Sequence, residues 1–551
     1  MIKSKESFLL YLCMLVMGAS GLAYEYTLSK VSSDLLGNSV SQWALTIGFM
    51  MFFMGIGADL QKRFKDEHCL FLFIAGEMTL ATVGAIAPIC SLYLYGSFNS
   101  HYILFHYLFI ASIGLLIGFE IPLLTRINSV YLNDLKLNIG NILKMDYVGS
   151  LLGAVFWLYV VIKYFDLIEG AFLIGLISLF TSLLPLLFFR KELKEFKPLL
   201  VSWFLLLGLL SAGMYYGESW ALEAEQKLYR DRIVLSESSP FQHIVLTKSS
   251  DSKLSMYING HIQFSELDEH RYHENLVHPL MSSLDRKKRI LILGGGDGLA
   301  LREVLKYKEV EEVVLCDIDP LVVELARTRE DLLRLNKGSL SSAKVSILEN
   351  QSMDYEEEYY LGQERRSNIH DKTHMKTAKL RVYHLDAVKF LERIKGRFDG
   401  VIIDFPDPNS PELSKLYSLR FYELLKKKLN PNGMWVQQSS SPFFAKEAFL
   451  MIGRTMKMAV PSVLAYREFI PSFGEWGFWL ASNSYGDSSK LRRKINSLDK
   501  IAVETQYLDV EKLKANFVFS SKELYSKDKR VNTMTSMALF NSYLEGWERY
   551  F

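Results

Sequence analysis

Seven long apolar segments fill the first part of the chain, near 7–29, 40–60, 69–95, 102–125, 145–165, 167–189 and 198–217. Each reaches roughly the 20 residues that a helix needs to cross a hydrocarbon layer. Lipid offers no partners to backbone N–H and C=O groups, so a spanning segment must satisfy them internally, as a helix does. Any one segment could be a buried helix of a water-soluble domain. Seven in a row predict a membrane α-helical bundle over 1–220. The first segment is too long for a removable signal peptide and lacks a small-residue cleavage site.

Basic residues set the expected orientation. Lys3 and Lys5 precede the first segment, and Lys62, Arg63 and Lys65 follow the second. Arg126, Lys136 and Lys144 follow the fourth, and Arg190, Lys191, Lys194 and Lys197 the sixth. This pattern puts the N-terminus in the cytoplasm. Seven spans then leave everything after them on the far side. Either one segment does not span, or the second half faces outward. Glu25, Glu77, Glu120 and Asp146 fall inside or at the ends of the spans. Intramembrane carboxylates are costly and often mark ion or substrate paths. The plainer reading is that they cap helix ends or bond neighbouring helices.

Beyond about Gly217 the chain changes to soluble α/β character. Its net charge of +2 over 551 residues carries no signal for nucleic acid. Cys13, Cys69, Cys90 and Cys316 form no CxxC pair, so neither a disulfide framework nor a zinc site is indicated. Residues 221–285 read as a small β unit with a linking helix. IVLSESSPFQHIVLTK and LSMYINGHIQF alternate apolar and polar residues around Ser-Ser-Pro and Asn-Gly turns. ELDEHRYHENLVHPLM then reads as helix.

Residues 286–490 carry the densest signal. Ile290–Leu293 is an apolar branched run, followed by Gly294, Gly295, Gly296 and Gly298, broken only by Asp297. Leu299–Tyr307 has helical spacing, and Val313–Cys316 is a second apolar run ending in Asp317 and Asp319. Strand, glycine turn, helix, strand and acid make a nucleotide-binding unit. Asp317 lies 317 − 297 = 20 residues past Asp297, the distance at which an acid takes ribose hydroxyls. A bare glycine loop could be only a tight turn. Asp297 alters that reading, because a carboxylate at the turn repels phosphate and suits a cation. A sulfonium nucleoside fits, and a dinucleotide pyrophosphate does not.

Further strands are expected at Arg381–His384, Phe398–Ile403, Met434–Gln438 and Gly477–Ala481, with a helix over 416–429. Alternating strands and helices predict a largely parallel, Rossmann-like methyltransferase-type sheet, with ligands at the carboxyl ends of its strands. Asp297, Asp317, Asp386, Asp404 and Gln438 each follow or close a strand, so they should converge on one rim. The charged stretch 350–379 reads as an insertion or surface loop. His370 and His374 within it are four apart, but no Glu completes a zinc site, so they read as solvated surface. Residues 491–551 read as a C-terminal helical extension.

SPFQHIVL, NGHIQFSELDEHRYHE, LILGGGDG, CDIDP, Leu385-Asp386-Ala387, IIDFPDP and WVQQSSSP together resemble the spermidine synthase (aminopropyltransferase) family over about Leu228–Ser482. SGLAYEYTLSK and KMDYVGSLLGA resemble the transmembrane domain of its membrane-bound bacterial branch. The resemblance implies transfer of an aminopropyl group from decarboxylated S-adenosylmethionine to putrescine, giving spermidine and methylthioadenosine. It implies that Gln242, Gln263 and Asp317 hold the nucleoside, and that Asp386 binds the adenine amino group. Asp297 and Asp404 would hold the ammonium of the aminopropyl arm. Tyr272, Asp404 and Asp407 would receive the attacking amine, with Asp404 and Tyr272 catalytic, and Gln438 would lie in the diamine pocket. His273 and Glu274 share the motif, His273 on the diamine side. No metal or other cofactor is implied. The partners are the two substrates and a lipid bilayer, with room for a homodimer, and the location is the cell (inner) membrane, multi-pass. Two departures stand out: Asp317 where the family often has Glu, and Phe473 where soluble members carry a diamine-contacting Tyr.

The chemistry is readable from the residues. An aliphatic amine has a pKa near ~10.4 and arrives protonated. The site must hold the cation, remove one proton and aim the lone pair at the carbon beside the sulfonium. Asp404 and Asp407 flank a turn made rigid by Pro406 and Pro408. Desolvation of the ammonium lowers its pKa enough for a carboxylate to serve as base, and Tyr272 could relay the proton. Two other readings remain. A methyltransferase using S-adenosylmethionine would share the fold, though Asp297 would repel that molecule's carboxylate. A membrane polyamine transporter or sensor would keep the soluble half for binding alone.

Overall fold

The computed structural model describes residues 5–36, 39–341, 345–350 and 378–550. It divides into two compact units, Met1–Pro240 and Phe241–Phe551. The first holds helices α1 (Lys5–Leu36), α2 (Ser39–Leu60), α3 (Cys69–Ser97), α4 (Asn99–Ser129), α5 (Leu135–Phe156), α6 (Leu167–Phe188) and α7 (Phe196–Gln226). Seven helices among the described residues are long and apolar enough to cross a membrane. Helix α7 continues past the boundary expected at 220, and strand β1 (Arg232–Ser238) follows it.

The KMDYVGSLLGA motif has a packing explanation. A Cβ built at Gly149 or Gly153 would lie 2.0 Å from the Leu15 carbonyl or 2.3 Å from that of Ala19, so only glycine lets α5 approach α1 this closely. The basic connections share one side of the bundle. Arg126 donates to the carbonyls of Gln61 and Phe64, and Tyr131 stacks on Phe189 at 6.0 Å. Helix-end capping does not describe Glu77 and Glu120. Both are buried and face each other, and no donor from a third described residue meets either oxygen of Glu77 or Oε1 of Glu120.

In the second unit, β2 (His243–Lys248), β3 (Leu254–Ile258) and β4 (His261–Ser265) pair antiparallel. The β3–β4 turn is Asn259-Gly260, both with positive φ, as a tight two-residue hairpin requires. Helix α8 (Glu269–Ser283) leads into an eight-stranded sheet. Its strands are β5 (Arg289–Gly294), β6 (Glu312–Asp317), β7 (Val345–Asn350), β8 (Ala378–His384), β9 (Phe398–Asp404), β10 (Leu429–Gln438), β11 (Ser462–Ile470) and β12 (Gly474–Ser482). Their spatial order is β11-β12-β10-β9-β5-β6-β8-β7. The run from β10 to β7 is parallel, and β12 and β11 add on antiparallel.

Successive residues of a strand point to opposite faces, and both faces here are covered. Ile290, Ile292, Val313, Leu315 and Ile402 join one core, while Leu291, Leu293, Val314, Val401 and Ile403 join the other. That is why the strands read as unbroken apolar runs. The insertion read at 350–379 lies outside the described residues except for Asn350, which ends β7, and Ala378 and Lys379, which open β8. His370 and His374 also lie outside them.

Two strands were not legible locally. The β7 run sits against the charged stretch, which masked its end. The β11 run, SVLAYREFI, places Arg467 and Glu468 inside a strand. Its pairing with β12 across a turn of Pro471 to Phe473 decides its conformation. The expected helix over 416–429 is shorter, Leu419–Lys427, because Ser418 caps it by accepting from the Phe421 N–H at 3.4 Å.

Candidate active site

Parallel strands bring their carboxyl ends to one edge of the sheet, and β5, β6, β8, β9 and β10 all end there. Asp297, Asp317, Asp386, Asp404 and Gln438 therefore gather on the rim expected from sequence. The glycine turn is built into that rim. Gly294 has φ +80°, and a Cβ on it would lie 2.1 Å from the Asp404 carbonyl. A Cβ on Gly296 would lie 2.7 Å from Asp317 Oδ2, which instead accepts the Gly296 N–H at 2.9 Å. Asp317 Oδ1 accepts from the Asp319 N–H at 3.0 Å. Asp297 Oδ1 accepts the Leu299 N–H at 2.8 Å, which fixes its carboxylate at the helix start. Asp386 caps the helix Ala387–Arg393 through the Lys389 N–H at 3.0 Å.

Tyr272, on α8, donates to Asp404 Oδ1 at 2.6 Å. Burial raises the Asp404 carboxyl above its ordinary range, opposed by the charge of His273 and by the Tyr272 hydrogen bond. Burial also raises Asp297, with His273 opposing and Asp404 adding. Burial and the Asp404 charge push the Tyr272 phenol well up, so it is a neutral donor. Burial pushes Asp407 up to about 6, against the pull of Ser440, Gln438 and Tyr543.

His273 sits one residue on and is buried. Burial alone would lower its pKa, but Glu269 overrides this by hydrogen bond and charge, and Asp297 and Asp404 add to the rise. Its Nδ1 lies 2.8 Å from Glu269 Oε2. Arg302 clamps that same carboxylate with two hydrogen bonds, at 2.8 and 2.9 Å. The site thus sets His273, biased toward its charged form, beside two acids, and a buried ion pair braces it. Glu269 stands four residues before His273 at helical spacing, a signal available in the sequence. Nothing local points to Arg302.

The other expected residues divide. Gln438 is buried, and its amide is spent inside the protein: Nε2 donates to the Phe405 carbonyl and the Tyr417 hydroxyl, and Oε1 accepts from the Ser440 N–H at 3.1 Å. Gln263 is half-buried and donates to the His261 carbonyl at 3.0 Å. Gln242 is half-buried just ahead of β2. Glu274 points away from the rim and accepts the N–H groups of Gln506, Tyr507 and Leu508, tying down the C-terminal segment. Phe473 meets Tyr272 edge-on at 5.7 Å and Trp476 at 5.0 Å.

One cluster among the described residues, Glu274, His278 and Glu303, has metal-ligand spacing. Its atoms are already engaged. His278 bridges Tyr307 and Glu303, and Glu303 also meets Arg302 and Lys306. Donors and cations occupy the places a metal would need.

The spermine/spermidine synthase domain family matches residues 269–360 and 365–491. The polyamine aminopropyltransferase of Oceanobacillus iheyensis is 33% identical over 99% of this chain and 99% of its own. The chain belongs to the polyamine aminopropyltransferase family. Polyamine aminopropyltransferase 1 of Streptomyces coelicolor is 33% identical over 98% of this chain and 95% of its own. The polyamine aminopropyltransferase of Leptospira interrogans is 31% identical, over 98% and 99%. A solved spermidine synthase in complex with the transition-state analogue AdoDATO aligns with 53% of this chain and 88% of its own, at 26% identity and a TM-score of 0.42. Polyamine aminopropyltransferases use decarboxylated S-adenosylmethionine as co-substrate, without a metal or other cofactor.

Proposed function

We propose that this aminopropyltransferase uses putrescine as its acceptor and releases spermidine and methylthioadenosine. The observation that carries the reading is the hydrogen-bonded pair of Tyr272 and Asp404 at the mouth of the glycine turn. Asp404 takes the proton of the attacking ammonium. Its burial raises its basicity toward that task. The amine nitrogen bonds to the carbon beside sulfur, that carbon–sulfur bond breaks, and its electron pair stays on the sulfur as a neutral thioether. Tyr272 orients the Asp404 carboxylate, and Asp297 and His273 set the charge around it. Asp407 receives the acceptor amine, and Gln438 braces the turn that carries Asp407. Asp317, Gln242 and Gln263 hold the nucleoside, and the free oxygen of Asp386 meets the adenine amino group. Proximity and orientation supply much of the acceleration.

The apolar helices support a multi-pass location in the cell membrane, with residues up to about 220 in the bilayer and the catalytic domain after them. The β unit at 221–285, the sheet domain at 286–490 and the extension at 491–551 serve as its parts, and a homodimer is compatible with them. The test is purified protein with decarboxylated S-adenosylmethionine and a panel of amines, products read by mass. Spermidine from putrescine as the dominant product supports the reading. A dominant product from another amine moves the acceptor, and methylated products replace the reaction.

A further inference from the structure

The helix Ala538–Glu548 lies outside the matched residues 269–491, yet it reaches the site. Leu539, Tyr543 and Trp547 stand four apart and form one face. Leu539 and Tyr543 are buried in the core on one side of the sheet. Trp547 stacks on Phe444 at 5.0 Å with an interplanar angle of 21°. A Cβ on Gly546 would lie 2.8 Å from both the Phe444 carbonyl and Ala445 Cα, so the helix sits directly on the loop after β10. The segment before the helix is also stitched in. The Asn532 carbonyl accepts from the Leu419 N–H at 3.0 Å, and the Asn532 N–H donates to Thr455 Oγ1 at 2.9 Å.

This docking buries Tyr543 in the same core and brings its phenol near enough to Asp407 to interact with it. Asp407 is faced by Ser440 and Gln438 from the end of β10 and its loop, by Tyr417 from the turn before Leu419, and by Tyr543 from the C-terminal helix. Two of these are already committed. Tyr417 donates to the Pro406 carbonyl at 2.8 Å, and the Gln438 amide is spent as described. Asp407 Oδ1 is buried and short of hydrogen-bond partners, and so is Ser440 Oγ. Burial, then the Asp407 charge, keeps the Tyr543 phenol neutral and able to donate.

We propose that Tyr543 is a positioning residue of the amine pocket, whose phenol orients Asp407 toward the ammonium of the acceptor. The proposal rests on the reading of Asp407 as an amine-receiving acid. It makes the C-terminal extension part of the site and gives it a share in choosing the acceptor. Without the phenol, Asp407 turns freely and is more readily protonated, so it attracts an ammonium less.

The experiment is steady-state kinetics of the full chain in detergent, comparing Tyr543→Phe, Asp407→Asn and the double variant. Phe keeps the ring in the core, and a cooperative melt checks the fold. Tyr543→Phe is expected to raise KM for the acceptor about tenfold, the loss of one hydrogen bond to a charged group. KM for decarboxylated S-adenosylmethionine should stay unchanged, and the acid limb of the rate profile should move to higher pH. In the Asp407→Asn background the same change should have little further effect. Equal changes in both KM values, no change in either, or full additivity in the double variant overturns the proposal while the site reading stands. An Asp407→Asn enzyme with unaltered amine KM overturns the site reading first, and this proposal with it.

Discussion

Tyr272 donates its hydroxyl to Asp404 Oδ1 over 2.6 Å, joining helix α8 to the end of β9 across 132 residues of sequence. Tyr272 is buried and Asp404 half-buried in the site, and the tyrosine is held neutral. The pair is a carboxylate aimed by a phenol.

Asp404→Asn should lower turnover by about 10²–10⁴, the range for a general base, while nucleoside binding survives. Tyr272→Phe should fall between this variant and the native enzyme. Single-turnover assays and calorimetric titration of the nucleoside separate the two effects. Turnover near the native value in the Asn variant would remove Asp404 from its assigned role.

Asp297 should make the enzyme prefer decarboxylated S-adenosylmethionine to ordinary S-adenosylmethionine. Its carboxylate attracts an ammonium and repels a carboxylate. Calorimetry with both nucleosides checks this, and Asp297→Asn should narrow the gap. Equal affinity in the native protein contradicts the argument.

Asp407→Asn should raise the melting temperature at neutral pH while it weakens amine binding. Burial raises Asp407 from the ordinary 3.8 to about 6. A carboxyl raised on folding favours the folded state below its unfolded value, and that advantage is lost as pH rises through the folded value. The native protein is therefore penalised above about pH 6, and the Asn variant is not. The difference in melting temperature should shrink toward zero near pH 4. A difference that stays constant from pH 4 to pH 7 rules this out.

Arg302→Met should destabilise the catalytic unit strongly, by about 3–5 kcal/mol, the usual result of breaking a buried pair from one side. Glu269 would be left as a buried carboxylate with only His273 beside it. Chemical denaturation reads the loss. A change under about 1 kcal/mol would mean that the pair is solvated in practice.

A protein beginning near Ala221 should fold in solution and make product. The two cores of the second unit draw only on residues from Tyr272 onward, and a domain of this length buries enough surface to fold alone. A cooperative melt without product would give the seven apolar helices a part in catalysis. Activity in solution would leave Glu77 and Glu120 to a separate function, testable with labelled spermidine in vesicles.

The sequence alone determined the elements whose cause is local. Apolar length forces helices in lipid, so the seven segments were legible without any partner. The glycine turn and the acids at strand ends were legible too, because parallel strands carry their carboxyl ends to one edge. Strand β11 was not, since its charged residues disguise it until β12 pairs with it. Gln438 could be placed on the rim from sequence, but only packing turned its amide inward to Phe405, Tyr417 and Ser440. The upward shift of the His273 imidazole depends on Glu269, and Glu269 is held by Arg302, 33 residues away. Tyr543 reaches Asp407 across 543 − 407 = 136 residues. Periodicity reports only what a residue's neighbours in sequence impose. Contacts of this kind exist because two cores closed on either side of one sheet, and only the folded chain holds that information.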